Sequence, residues 1–348
     1  MKKIACLLLL TLFLLTSCTD VYRYTNQTYF SMNTTVNVIA DESIDSDPTP
    51  YVLGDIENRF SRTLPNSEIS RLNRGEEVTL SLDTLYVVER ALEIAENTDC
   101  AFNPCMGTVT DLWDITSGKN IVPSDEEIKK ALSFCDASSA AVHDENISVP
   151  DGMRIDLGGI AKGYALERAY EEMRKTAEDE ETSPDFCISV GGNIAVSGSS
   201  AKNRKNGKGG WDVGITNPFD KNTTLGSLHL NNGFVSVSGS YERFFEKDGK
   251  IYHHIFDSKT GYPSDSDLAS AVVISDDGLV GDALSTALFV MGKEGAVEFF
   301  NEGIYDFEMI LISKNGVVSV TGGIKDSFDF DEQAVSDGLN KLKLEIIQ

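Results

Sequence analysis

The stretch IDLGGIAKGYALERA, from Ile155 to Ala169, runs from an apolar strand through a Gly-Gly turn into a helix. Lys162 falls in the first turn of that helix, and Asp156 stands at the end of the strand. Backbone N–H groups at a helix N-terminus attract phosphate, and a lysine beside them adds positive charge. The same pattern also suits an ordinary tight strand–helix turn, so its meaning depends on the rest of the chain.

A second segment, DALSTALFVMG from Asp282 to Gly292, predicts a helix on which Asp282 and Thr286 share one face, because they are four residues apart. A carboxylate and a hydroxyl are oxygen ligands that suit Mg²⁺, which takes few protein ligands and leaves positions for phosphate and water. The alternative is a helix-start aspartate followed by a buried threonine.

A third segment, YHHIFDSKTGYP from Tyr252 to Pro263, contains two of the four histidines of the chain. Side chains alternate along a strand, so His253 and His254 are predicted to face opposite sides, and one of them can reach a ligand. Asp257 belongs to the turn that follows. An ordinary hairpin end is the other interpretation of this segment.

The order of the elements predicts an α+β fold of antiparallel sheets with flanking helices, arranged as one domain with two lobes. After Pro150, short β-rich runs are separated by hairpin signals at Asn232-Gly233, Asp248-Gly249 and Asn315-Gly316. A strand is predicted from Tyr29 to Ala40, and a mobile basic loop from Ser199 to Gly210. N-caps are predicted at Ser67 and Asp83. The predicted helices are Tyr51–Ser61, Ser67–Asn73, Thr84–Thr98, Ser124–Cys135, Gly159–Lys175, Val280–Met291 and Glu294–Asn301.

The N-terminus is predicted to be an export signal, because Lys2 and Lys3 precede a short apolar run. The run ends in Leu15-Thr16-Ser17-Cys18, which resembles a bacterial lipobox, so Cys18 is expected to carry acyl chains such as palmitate. An ordinary secretory signal is the alternative. Residues 1–17 are therefore predicted as signal peptide, 18–27 as membrane tether and 28–348 as the folded domain. This places the protein in the bacterial cell envelope, lipid-anchored and facing the periplasm or the exterior.

The chain has a formal net charge of −25. Such a surface repels nucleic acid and anionic lipid headgroups, so a phosphate ligand must be held locally by backbone N–H groups, a metal or a few cations. No C-x-x-C pair and no zinc-type spacing occurs in the sequence. A Cys100–Cys105 disulfide and separate thiols at Cys100, Cys105, Cys135 and Cys187 both remain open.

Seven segments together resemble the ApbE family, the FAD:protein FMN transferases, in order and spacing. They are FSRTLPNSEISRLN (60–73), AFNPCMGTVTDLW (101–113), DLGGIAKGYA (156–165), SVGGN (189–193), SGSYERFF (238–245), HHIFDSKTGYP (253–263) and DALSTALFVMG (282–292). The resemblance starts near Met32 and covers almost the whole mature chain.

This resemblance implies that FAD is the substrate and binds in an extended cleft between the two lobes. The implied FAD contacts are Met32, Thr63, Ala101, Phe102, Asn103, Asp156, Lys162, Ser238, Gly239, His254, Ile255 and Asp257. The implied Mg²⁺ ligands are the Asp282 carboxylate, the Thr286 hydroxyl and the Gly159 carbonyl.

The implied reaction is attack by a threonine or serine hydroxyl of an exported or membrane-bound flavoprotein on the FMN-side phosphorus, with release of AMP. Lys162 and the metal are expected to offset the charge of the phosphates, while binding of both nucleotide halves aligns the scissile bond. His254 and Asp257 are the candidate bases, and the sequence leaves the choice between them open.

Two positions depart from the family pattern. Thr63 stands where relatives often carry a tyrosine that can stack on the isoalloxazine, so an aromatic contribution of about 1 kcal/mol is missing. We expect FAD to be held more loosely and water to compete as acceptor, which gives FAD hydrolysis as a second activity. Asn103 stands where an acidic residue is common, which is expected to weaken a hydrogen bond to the flavin or the adenine. The competing functions are FAD pyrophosphatase alone and a non-catalytic flavin-binding lipoprotein, which would release no AMP.

Overall fold

A β-hairpin opens the described part of the chain, which in this computed structural model comprises residues 23–331 and 342–347. Its strands β1 (Tyr24–Ser31) and β2 (Thr34–Asp41) are joined by Met32 and Asn33, which both have positive φ. The predicted single strand from Tyr29 to Ala40 is therefore wrong, because this two-residue turn reverses the chain within a continuous β-rich pattern. Strand β1 begins inside the predicted tether, and the signal peptide and Cys18 lie outside the described residues.

In the described part of the chain, the strands form one large sheet, which includes β1 and β2, and three small sheets. The remaining strands are β3 (Ala141–His143), β4 (Asn146–Ser148), β5 (Phe186–Val190), β6 (Asn193–Ser197), β7 (Trp211–Thr216), β8 (Thr224–Leu230), β9 (Asn232–Gly239), β10 (Phe244–Lys247), β11 (Lys250–His253), β12 (Leu268–Ser275), β13 (Glu308–Ser313), β14 (Val317–Thr321), β15 (Phe328–Phe330) and β16 (Lys343–Ile347). The large sheet has the order β1-β2-β5-β6-β9-β12-β13-β14-β16 and is antiparallel except at β14–β16.

The helices are α1 (Thr49–Phe60), α2 (Glu68–Asn73), α3 (Leu82–Asn97), α4 (Gly107–Trp113), α5 (Asp125–Leu132), α6 (Ala161–Asp179), α7 (Ala201–Lys205) and α8 (Gly278–Glu302). Within the described ranges, no helix is long and apolar enough to cross a membrane. The predicted break between two C-terminal helices appears as a local kink of α8 at Gly292, where φ is 74°.

Serine side chains begin several of these helices. The Ser67 hydroxyl accepts a hydrogen bond from the N–H of Ser70, as predicted for an N-cap. The predicted cap at Asp83 is wrong, because Ser81 is the extended residue before α3 and its hydroxyl accepts from the N–H of Thr84 at 3.2 Å. Asp83 lies inside the first turn, where its carboxylate accepts from the Tyr164 hydroxyl at 2.8 Å.

Helices α1, α3, α6 and α8 cover one face of the large sheet and form the main core with it. The small sheet of β7, β8 and β15 covers the other face. A separate cluster around Trp113 joins α4 and α5 to the β10–β11 hairpin and forms the smaller lobe. The predicted α+β class, with antiparallel sheets and flanking helices, is confirmed.

Two predicted loop features differ from the structure. Asn232-Gly233 is not a hairpin turn, because β8 belongs to the small sheet whereas β9 pairs with β6 and β12 in the large one. The basic segment Ser199–Gly210 contains helix α7, which is capped by the Ser200 hydroxyl. The hairpins at Asp248-Gly249 and Asn315-Gly316 are present.

Candidate active site

A cavity of about 350 Å³ lies between the two lobes, at the N-terminal end of α6. The smaller lobe contributes residues such as Met106 and Phe256 to its wall. Most of the residues singled out in the sequence line this one space: Met32, Thr63, Ala101, Phe102, Asn103, Asp156, Gly159, Lys162, Ser238, His254, Ile255, Asp282 and Thr286. The fold thus brings together segments that are far apart in the chain.

Helices α6 and α8 cross closely, and this crossing places the carboxylate of Asp282 at the cavity. Gly163 faces α8 so closely that a Cβ there would overlap the Gly278 carbonyl oxygen and lie 2.5 Å from Asp282 Cβ. Asp282 is 4% exposed, and its Oδ2 accepts a hydrogen bond from the Gly163 N–H at 2.9 Å. The carboxylate therefore caps an N–H of the first turn of α6, which lacks a side-chain cap of its own.

Lys162 and Thr286 complete this corner of the cavity. Lys162 Nζ lies 3.7 Å from Asp282 Oδ1 and donates to the Gly158 carbonyl at 3.3 Å. The Thr286 hydroxyl lies 3.2 Å from the Ser238 hydroxyl, which in turn lies 2.8 Å from the hydroxyl of Ser285. The helix N-terminus, the ammonium group and the hydroxyls are all groups that can bind phosphate oxygens.

The donor chemistry fits a magnesium ion that takes most of its ligands from elsewhere. Across the described ranges, no group of three or more His, Cys, Asp or Glu residues is arranged to hold a metal. Asp282 supplies one carboxylate. Thr286 is a neighbour of Gly159, because its Oγ1 would lie only 3.5 Å from a Cβ placed on that glycine. Mg²⁺ is commonly held by one or two carboxylates together with substrate phosphates and water, and this set agrees with that pattern.

His253 is the last residue of β11 and packs in the core, whereas His254 follows the strand and lines the cavity. His253 contacts the Phe289 ring edge to face, and its Nε2 lies 3.0 Å from the Ser264 carbonyl oxygen. The Nδ1 of His254 is buried and has no hydrogen-bond partner among residues 23–331 and 342–347. Burial, with the positive charges of Arg243 and Lys162 as further causes, lowers the pKa of His254 to about 3, so the imidazole is neutral.

Asp257 and Gly239 lie outside the cavity lining, unlike the other predicted site residues. Asp257 organises its turn: its Oδ1 accepts from the N–H of Lys259 at 2.8 Å, and its carbonyl accepts from the N–H of Gly261 at 2.8 Å. Gly239 ends β9, and a side chain there would overlap the Tyr241 ring. Of the two candidate bases, only His254 therefore faces the cavity.

Asp156 is already engaged by the protein. Its Oδ1 accepts from the N–H of Gly158 at 2.9 Å, which shapes the Gly-Gly turn. Its Oδ2 lies 3.3 Å from Arg62 Nε, and the Arg62 guanidinium also pairs with Asp111. Arg62 thus links the loop after α1 to the turn before α6.

The two positions that depart from the family pattern, Thr63 and Asn103, both line the cavity, but they differ in exposure and in hydrogen bonding. Thr63 is exposed, and its hydroxyl lies 3.1 Å from that of Ser61. Asn103 is held at both ends, because its Nδ2 donates to the Cys135 carbonyl at 2.9 Å and its Oδ1 accepts from the Cys105 N–H at 2.8 Å. Cys100, Cys105, Cys135 and Cys187 are free thiols, so the structure contains no Cys100–Cys105 disulfide.

Five charged residues of the cavity wall were not singled out from the sequence: Glu57, Arg62, Asp114, Glu242 and Arg243. Glu57 accepts from the Met32 N–H at 2.9 Å, and Arg243 donates to the Asn33 carbonyl at 3.1 Å, so they hold the β1–β2 turn from two sides. Burial raises the pKa of Glu242, whose carboxylate opens onto the cavity. The segment SGSYERFF contained two of these residues, but nothing local distinguished them from solvent-exposed charges.

Fold and cavity together define a two-lobed α+β protein with an enzyme-like cleft between its lobes. The ApbE family model matches residues 32–311. A FAD:protein FMN transferase of Klebsiella pneumoniae is 34% identical over 242 residues, which cover 68% of this chain and 71% of that protein. A second FAD:protein FMN transferase, from Treponema pallidum, is 34% identical over 237 residues, which cover 63% of each protein.

The solved structure of the ApbE protein from Thermotoga maritima has a TM-score of 0.77 and 31% identity, covering 88% of this chain and 99% of that one. The chain belongs to the ApbE family. The predicted family and the prediction that the chain is an enzyme are confirmed.

Proposed function

We propose that this protein transfers FMN from FAD to a threonine or serine hydroxyl of a partner flavoprotein and releases AMP. The observation that carries the proposal is the meeting of the α6 N-terminus, Lys162, Asp282 and Thr286 with the neutral His254 around one cavity. The names of the related proteins, FAD:protein FMN transferases, support the choice of substrate.

In the proposed reaction, the acceptor hydroxyl oxygen forms a bond to the FMN-side phosphorus. The bond from this phosphorus to the bridging oxygen breaks, and AMP leaves with that oxygen. Lys162 and the N–H groups at the start of α6 offset phosphate charge. His254, whose neutral imidazole lines the cavity, receives the hydroxyl proton.

His254 is a weak base in the ligand-free protein, since its pKa is about 3. A bound pyrophosphate would oppose the charges of Lys162 and Arg243 that contribute to this low value, so the pKa of His254 should rise when FAD binds. Asp282, Thr286 and the Gly159 carbonyl would hold Mg²⁺, which supplies further neutralisation of the phosphates.

We also propose that the protein acts in the bacterial cell envelope, anchored through acyl chains on Cys18, on exported or membrane-bound flavoproteins. The support is the signal-like N-terminus and the Leu15-Thr16-Ser17-Cys18 sequence. Intact-mass measurement of the protein from a membrane fraction tests the anchor: acylation at Cys18 is expected, and an unmodified mature chain would contradict it.

AMP release from FAD by the mature chain (residues 18–348), with Mg²⁺ or with EDTA, tests the reaction. We expect AMP release with Mg²⁺ and a threonine-bearing acceptor peptide, and its loss with EDTA, in Asp282→Asn and in His254→Ala. The exposed Asp151→Asn is the matched control for charge removal, and Asp257→Asn should retain activity because Asp257 lies outside the cavity lining. Retention of FAD without any AMP under all conditions would instead support a flavin-binding lipoprotein.

FAD hydrolysis is a second candidate activity, favoured by the exposed threonine at position 63 of the cavity wall. With no aromatic ring at this position, the isoalloxazine loses a stacking partner and water gains access to the phosphates. AMP release without any acceptor would support this activity. Acceptor-independent release at the full rate, with no FMN found on the peptide, would make the protein a pyrophosphatase.

A further inference from the structure

The segment Ser199–Gly210 is a local exception to the acidic character of the protein. It carries Lys202, Arg204, Lys205 and Lys208 and contains no acidic residue, in a chain whose formal net charge is −25. We call these twelve residues the basic loop. Three of its cations, Lys202, Lys205 and Lys208, are exposed.

Internal hydrogen bonds give the basic loop a defined shape. The N–H of Ser200 donates to the Gly210 carbonyl at 3.0 Å, and the buried Asn203 donates from Nδ2 to the same carbonyl at 3.1 Å. Arg204 forms an ion pair with the buried Asp185, and Lys202 Nζ lies 3.6 Å from Asp212 Oδ2. Within residues 23–331 and 342–347, Lys205 and Lys208 form no ion pair, so their charge is available at the surface.

The basic loop lies next to the point where the chain enters the fold. The Tyr24 hydroxyl donates to the Ser199 carbonyl at 2.6 Å, and the Tyr24 ring contacts the Trp211 ring edge to face at 6.0 Å. Tyr24 is six residues after Cys18. A fully extended chain covers about 3.5 Å per residue, so Cys18 lies at most about 20 Å from Tyr24.

We infer that the basic loop docks onto the anionic phospholipid headgroups of the membrane that carries the Cys18 anchor. This inference rests on the lipid anchor proposed above, because the anchor at Cys18 is what brings the basic loop close to the membrane. Acyl chains on Cys18 would attach the protein to the membrane, and a basic patch beside a lipid anchor is a common additional contact.

The overall negative charge does not prevent this contact. Fields from exposed charges are largely screened beyond about 8 Å at physiological salt, so the residues nearest the membrane decide the interaction. An acidic surface lies at the same end of the large sheet, where Glu180 accepts from the N–H of Asp45 at 3.0 Å. It adjoins α6, whereas Tyr24 and Trp211 pack on the opposite face of the sheet. Docking through the basic loop therefore turns the acidic surface away from the bilayer.

The fold also bounds the distance from the basic loop to the active site. Strand β1 runs from Tyr24, beside the basic loop, to Ser31, which precedes the cavity residue Met32. Eight strand residues at about 3.3 Å each span roughly 25 Å. The cavity wall at Met32 therefore lies within about that distance of the basic loop.

Vesicle flotation of the mature chain (residues 18–348) made without acylation tests the basic loop alone. Vesicles of phosphatidylcholine with phosphatidylglycerol are compared with phosphatidylcholine only. We expect binding that requires phosphatidylglycerol and weakens with salt. The triple variant Lys202→Gln, Lys205→Gln, Lys208→Gln should lose on the order of 100-fold in partitioning, about fivefold per lysine.

The matched control is Lys129→Gln, Lys130→Gln, Lys175→Gln, which removes the same charge from exposed positions outside the basic loop. It should bind nearly as the unmodified chain does. Equal losses in both triple variants would mean that only overall charge matters, and unchanged binding of the loop variant would equally overturn the inference. AMP release is measured on the same samples, so a failure of the proposed reaction is seen separately from a failure of membrane docking.

Discussion

His254 combines a position on the cavity wall with an environment that keeps its ring neutral. Burial and two nearby cations, Arg243 and Lys162, act in the same direction on its pKa. A neutral imidazole on the cavity wall can accept a proton, and the negative charge of a bound pyrophosphate would strengthen it as a base. In the proposed reaction, His254 would thus become competent as a base when FAD binds.

At residue scale, Thr63→Tyr should bind FAD more tightly and hydrolyse it more slowly. A tyrosine ring at this exposed position of the cavity wall can stack on the isoalloxazine and adds about 1 kcal/mol, or about fivefold in affinity. Fluorescence titration with FAD and acceptor-free AMP release measure the two effects. Thr63→Leu controls for bulk without the aromatic face. If neither property changes in Thr63→Tyr, the explanation of hydrolysis from the missing tyrosine is wrong.

Asn103→Asp should destabilise the protein, although an acidic residue is common there in the family. A carboxylate cannot donate to the Cys135 carbonyl, which Asn103 Nδ2 contacts at 2.9 Å, and the loss leaves a buried acceptor unsatisfied. The expected cost is about 1–3 kcal/mol of unfolding free energy, measured by urea denaturation. The exposed Asn58→Asp should change little. Equal stability of Asn103→Asp and the unmodified protein would show that this bond is replaceable.

At the scale of elements, the site depends on how closely α6 and α8 approach. Their contact at Gly163 brings an N–H of the α6 first turn against the carboxylate of Asp282, and Thr286 follows one turn later on α8. Residues of α8 thus align the N-terminal end of α6, which we propose binds phosphate. A change in helix spacing should therefore alter chemistry as well as stability.

Gly163→Ala tests this dependence. The added methyl group overlaps the Gly278 carbonyl and Asp282 Cβ, so the helices must separate, with an expected cost of about 1–3 kcal/mol and a large loss of Mg²⁺-dependent AMP release. Gly54→Ala in α1 is the matched control, because nothing lies within 4 Å of its added Cβ, and it should be neutral or slightly stabilising. Urea denaturation and the AMP assay report both quantities. Full activity in Gly163→Ala would contradict the proposed coupling.

For the whole molecule, the free energy of unfolding should depend on pH through two buried groups, His253 and Glu167. The contribution of His253 is lost as the pH falls, and that of Glu167 is lost as the pH rises. Burial lowers the pKa of His253 to about 4, so stability falls as the pH drops below the ordinary histidine value of about 6.5. Burial, with the charge of Asp277 as a second cause, raises the pKa of Glu167 to about 7. The protonated carboxyl is favoured in the folded state, so this group's stability contribution is lost as the pH rises from about 4.5 through 7.

Glu167→Gln should therefore stabilise the protein more at pH about 8 than at pH about 5. The amide retains an acceptor for the N–H of Leu279, which Glu167 contacts at 3.1 Å, and removes the ionisation. Unfolding free energies from urea denaturation at the two pH values give the comparison. Glu178→Gln, at an exposed position of the same helix, should show no such pH dependence. An equal effect of Glu167→Gln at both pH values would mean that the carboxyl does not ionise in this range.

The sequence by itself determined the family, the α+β class and the segments that supply the site, because motifs and hydrophobic periodicity are local properties of the chain. Only the tertiary structure decided that His254 rather than Asp257 faces the cavity, and that Asp282 caps α6. It also decided that Arg243 and Glu57 hold the β1–β2 turn from two sides. Each of these depends on contacts between residues distant in the chain and on the direction in which a side chain leaves its strand or helix, which spacing along the sequence does not specify.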